Sequence, residues 1–69
     1  MEKHHAKSIH DLALRAITDL TKILMLAKEN GSREEFEGLK RPIGILIGQI
    51  ETDILGRIYV EHPELDDLQ

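Results

Sequence analysis

The sequence predicts an all-α protein, an antiparallel helical hairpin that dimerises into a four-helix bundle. Three observations point there. Two stretches, one on either side of Asn30-Gly31-Ser32, repeat their apolar residues with helical rather than alternating spacing. The connection between them is so short that the second helix must run back along the first. The second stretch, Pro42 to Val60, carries apolar or small residues on two opposite sides, more than one neighbouring helix covers. Helix 1 is expected over about residues 8–29 and helix 2 over about residues 33–61 with a kink or break near Pro42, all within one domain spanning residues 1–69.

Taken in order, residues 1–7 read as a flexible polar lead-in, with Ser8 as the N-cap of helix 1 and Asp11 as the acidic member of its capping box. At about 100° per residue, Ile9, Leu12, Ala13, Ala16, Ile17, Leu20, Ile23, Leu24 and Ala27 share one arc, with Asp11, Arg15, Thr18, Lys22 and Glu29 opposite. The alanines let a neighbouring helix come close. Leu14, Met25 and Leu26 fall outside the arc. Asn30 and Gly31 end the helix, Gly31 in a left-handed conformation that costs it nothing. Ser32-Arg33-Glu34-Glu35 matches the S-x-x-E capping box at the start of helix 2, and Glu34, Glu35 and Glu37 suit the positive end of its dipole. Along helix 2 the intramolecular face is expected to run Phe36, Leu39, Ile43, Leu46, Ile47, Ile50 and Ile54. Pro63 stops the helix near Glu61, and residues 63–69 form an acidic tail whose Leu65 and Leu68 can fold back.

Composition narrows the partners. The chain has 9 basic against 13 acidic residues and a net charge of −4, its basic residues are dispersed, and Phe36 and Tyr59 are its only aromatics. Phosphate backbones repel such a chain and stacking platforms are lacking, so nucleic acid is not an expected partner. There is no cysteine, hence no disulfide and no thiolate metal site. The longest nearly apolar run, Pro42 to Ile50, is about half of the roughly 20 residues a membrane span needs, and no apolar leader is visible at the N-terminus. A cytoplasmic protein that does not enter membranes is the expectation. At this length one core supplies only a few kcal/mol, and oligomerisation is the staple that remains.

The most specific pattern is a ladder of small residues, Gly44, Gly48, Thr52 and Gly56, four apart and flanked by Ile45, Leu55 and Tyr59. Each interior glycine costs a helix about 1 kcal/mol relative to alanine. Close approach of a second copy would offset that, so Gly44, Ile45, Gly48, Thr52, Leu55, Gly56 and Tyr59 form the expected dimer interface. A second pattern is Asp53 and Arg57, spaced i, i+4; an antiparallel register sets Asp53 roughly opposite His10 and Arg57 opposite His5 or Ala6, so that an acid, a base and a histidine meet at the open end. A carboxylate behind a histidine can orient it for proton transfer or metal binding, although an ion pair at a wet bundle end explains the same residues. Glu2-Lys3-His4-His5 has the E-x-x-H spacing of di-metal bundles but no second copy, so no metal site and no cofactor are assigned.

His10-Asp11-Leu12, near the start of a helix in a hairpin able to dimerise, resembles the dimerisation and phosphotransfer hairpin of sensor histidine kinases. The likeness covers three residues, and the chain has no nucleotide-binding domain to go with it. It implies His10 as a phosphoacceptor. The reading preferred from the residues is a small non-enzymatic interaction or regulatory module acting as a homodimeric bundle, with an unidentified protein as a further partner. The alternative is a histidine-based phosphotransfer or metal-binding hairpin centred on His10.

Overall fold

Helix 1 begins five residues before Ser8, because Glu2 caps it. In the computed structural model, which describes residues 1–66, α1 spans Lys3–Asn30 and the Glu2 carboxylate accepts the His5 amide at 3.2 Å. Residues 3–7 are therefore helical, and Ser8 lies inside the helix, its hydroxyl donating back to the His4 carbonyl. At the far end Gly31 donates to the Ala27 carbonyl at 2.9 Å with φ −100°, so the expected left-handed conformation is not used. Space explains the glycine instead. A Cβ there would stand 2.9 Å from the Ala27 oxygen and 2.7 Å from Glu35 Oε1.

The α2 helix, Arg33–Gln49, opens on the capping box that the sequence announces: Ser32 Oγ accepts the Glu35 amide at 3.1 Å, and Glu35 Oε1 accepts the Ser32 amide at 2.8 Å. It then runs through Pro42 without a break. The proline withdraws one donor, from the carbonyl of residue 38, and the helix continues past it. The irregularity expected at Pro42 lies further on. Residues Ile50–Leu55 form a π-helical segment, in which the Gly56 amide reaches back five residues to the Glu51 carbonyl. A short α3, Gly56–Glu61, follows, then a single 3₁₀ turn, Pro63–Leu65.

The π segment changes which residues look inward. A π-turn accommodates one extra residue, so everything after it is set back by about one helical step of 100°. Inward positions run Ile43, Ile47 and Ile50 at regular spacing, and the next is Leu55 rather than Ile54, followed by Ile58. The core proper consists of Ala6, Ala13, Ile43, Leu55 and Ile58, joined by His10. Leu12, Ile23, Leu39, Leu46 and Ile54, all expected on the packing arcs, are instead exposed in the single chain by 38–64%. The arcs are wider than one partner helix can cover.

The start of α1 is tied to residues 61–64 at the open end of the hairpin. The Met1 ammonium meets Glu61 Oε1 at 2.8 Å, His62 Nε2 donates to the Met1 carbonyl at 2.8 Å, and Lys3 Nζ stands 3.5 Å from Glu64. Leu65 is half-buried, while Leu68 lies outside the described residues. The outcome is an all-helical hairpin one helix thick, 44 × 20 × 16 Å, with a radius of gyration of 14.4 Å. A compact domain of this length has a radius of gyration near 11 Å. Among the described residues no helix is long and apolar enough to cross a membrane.

Candidate functional site

Among the described residues His10 is the only polar residue in the core, and the π segment decides its partners. By carrying Ile54 outward and Leu55 inward, it also brings Tyr59 over α1. The Tyr59 hydroxyl meets His10 Nε2 at 3.0 Å, and the rings stand edge to face at 65° with centroids 5.5 Å apart. The other nitrogen, Nδ1, faces Asp11 Oδ1 at 3.2 Å. An ionised carboxylate only accepts, so in the neutral imidazole Nδ1 carries the proton and Nε2 accepts from Tyr59. Both ring nitrogens are thus satisfied, and no buried side-chain polar atom among the described residues lacks a partner. Hydrogen bonds from His10 and from Lys7, which lies 3.2 Å away, hold the Asp11 carboxyl below its ordinary range.

Asp53 and Arg57 are not in this cluster. The regular-helix register that sets Asp53 opposite His10 and Arg57 opposite His5 or Ala6 does not survive the π segment, which gives the place beside His10 to Tyr59. Both are exposed, and they line a shallow open depression with Thr52, Gly56, Val60 and Glu61. Among the described residues no group of three or more histidines and carboxylates is placed to hold a metal ion; His4 and His5 are exposed, and the Glu2 side chain is engaged in capping. His10 itself is 7% exposed, with its Nε2 covered by Tyr59. A phosphoryl donor reaches that nitrogen only if Tyr59 moves.

The residues expected to receive a second copy divide. Leu55 is buried within the hairpin and Tyr59 half-buried against His10, so both serve the chain's own packing. Gly44, Ile45 and Thr52 are exposed, and Gly48 and Gly56 half-buried. A Cβ at Gly44 or Gly48 would meet nothing within 4 Å, whereas one at Gly56 would touch the Glu51 oxygen at 3.4 Å, the acceptor of its own π bond. The residues that sequence reasoning missed as a surface are Leu12, Ile23, Leu39, Leu46 and Ile54. Their signal was present as the excess width of the two arcs.

No protein-family model, no curated protein and no solved structure matches this chain.

Proposed function

We propose that this chain is a small non-enzymatic interaction module whose working form is a homodimeric four-helix bundle. The observation that carries the reading is the surface left uncovered by folding. A globular monomer of 7.9 kDa exposes about 4,400 Å², and this chain exposes 5274 Å². The excess, on the order of 800–900 Å², is what each partner of a standard interface buries. Domains are built from two layers around a core, and a hairpin one helix thick supplies a single layer. A second hairpin completes the architecture, and the acidic, aromatic-poor surface then left outside suits contacts with proteins rather than nucleic acid.

Sedimentation equilibrium tests this directly. A mass of two chains is expected across the micromolar range, and a protein that remains monomeric at 100 times that concentration range's lower limit, about 100 µM, would overturn the proposal.

A further inference from the structure

We propose that the second copy docks on the face formed by Leu12, Ile23, Leu39, Leu46 and Ile54, on the side of the hairpin away from the glycine ladder. This rests on the dimeric reading above and names the surface it uses. Successive side chains turn by about 100°, so on α1 Leu12 and Ile23 lie roughly 105–130° to one side of the core line through Ala6, His10 and Ala13, with His10 leaning to the other side. On α2 and beyond the π segment, Leu39, Leu46 and Ile54 lie roughly 35–75° to one side of the line through Ile43, Leu55 and Ile58, and Tyr59 leans to the other. The His10–Tyr59 hydrogen bond joins those two other sides. The flanks carrying the exposed leucines and isoleucines must therefore also lie together, on the opposite face. Gly44 and Gly48 fall on the His10–Tyr59 side.

This face is continuous with the core. It extends from Leu12 and Ile54 near the open end of the hairpin, through Leu46 and Ile23, to Leu39 near the turn, where Leu26 borders it, itself exposed by 59%. Together these residues leave on the order of 500 Å² of apolar surface in one strip, at the upper end of what a monomer carries. With the half-buried Ile9, Ala16 and Ile50 at its floor, the strip approaches the area that each copy of a stable dimer buries. The ladder face has lost two of its three apolar flanks by comparison, since Leu55 and Tyr59 pack within the hairpin and only Ile45 stays exposed. Two copies related by a two-fold axis normal to this strip give each helix two neighbours, and every wide arc is then covered.

The experiment compares association and thiol protection. Leu46→Glu and Ile54→Glu are measured beside wild type by sedimentation equilibrium, with far-UV circular dichroism to follow helix content. The expected result is a dissociation constant raised about a hundredfold or more by either charge. Because the chain has no cysteine, Leu46→Cys and Gly48→Cys each report one face without reference to folding yield. Alkylation by iodoacetamide should slow about tenfold for Leu46→Cys at concentrations above dimer dissociation and stay constant for Gly48→Cys. Protection of Gly48→Cys with Leu46→Cys reactive, or undiminished association of both glutamate variants, would overturn this assignment while leaving the dimer intact. A monomeric wild type would instead remove the dimeric reading on which it rests.

Discussion

Deleting Thr52 should leave the hairpin folded, although removing a residue from the middle of a helix normally destroys the packing beyond it. A deletion in a regular α-helix swings everything downstream by about 100°, which turns a core face to solvent. Here the π segment Ile50–Leu55 already holds one residue more than a regular helix would. Removing the exposed Thr52 lets the segment relax to α-helix with Leu55, Ile58 and Tyr59 still facing α1. The expected change in unfolding free energy is within about 1 kcal/mol, the net worth of one hydrogen bond, or a melting shift of under about 8 °C for a chain of this size. Deletion of the exposed Lys22, in the regular part of α1, is the control. It sets the N-terminal half of α1 out of register with Leu55 and Ile58, which are 4% and 2% exposed. Losing the burial of both side chains costs about 3–6 kcal/mol, comparable with the whole stability of so small a domain. Thermal unfolding followed by circular dichroism at matched concentration separates the two. If the Thr52 deletion melts out together with the Lys22 deletion, the π segment is not acting as a single-residue insertion and the register argument fails.

Tyr59→Phe removes the donor that satisfies His10 Nε2 and leaves a nearly buried acceptor without it; urea unfolding should show a loss of about 1–3 kcal/mol. Ser32→Ala takes away the hydroxyl arm of the capping box and should cost about 1 kcal/mol in the same assay. Acid should loosen the tie between Met1 and Glu61. The Met1 ammonium, by hydrogen bond and by charge, holds the Glu61 carboxyl below its ordinary range, and a depressed carboxyl contributes stability that is complete above its unfolded pKa and lost as pH falls through its folded value. Asp11, held down mainly by His10 and then Lys7, acts with the same sign. Stability measured by urea midpoint should therefore decline below about pH 4.5, and Glu61→Gln should flatten that decline; a decline of unchanged size in the variant would show that the tie does not contribute.

The hairpin itself was legible in the sequence because each of its signals is local. Ser32 and Glu35 are three residues apart and cap α2 as that spacing requires. The turn at Gly31 was legible in position but not in conformation, since crowding by Ala27 and Glu35 is a consequence of the fold. Helix 1 starts earlier than Ser8 suggests because Glu2, a less common N-cap than serine, accepts the His5 amide. The site was misread for one reason. A constant 100° step cannot anticipate a π segment, and nothing in Ile50–Leu55 marks it, so regular spacing sets Asp53 where Tyr59 stands and Ile54 where Leu55 stands.

The same segment reconciles two features that looked independent, the breadth of the apolar arcs and the two-sidedness of helix 2. With a regular helix, Ile54 would continue the line of Ile50 and the hairpin would hold most of its apolar residues between its own two helices. With the extra residue, Leu55 and Ile58 take the core, and Ile54 is handed to the flank where Leu39 and Leu46 already stand. One inserted residue thus both seats His10 beneath Tyr59 and extends an apolar strip along the length of the hairpin. Those consequences lie on opposite sides of the molecule, and they are coupled through the register of α3. A change that straightens the segment without removing a residue would withdraw Tyr59 from His10 and Ile54 from the strip together, so on the dimeric reading proposed above the packing of this polar core residue and the association measured by sedimentation equilibrium should be lost in the same variant.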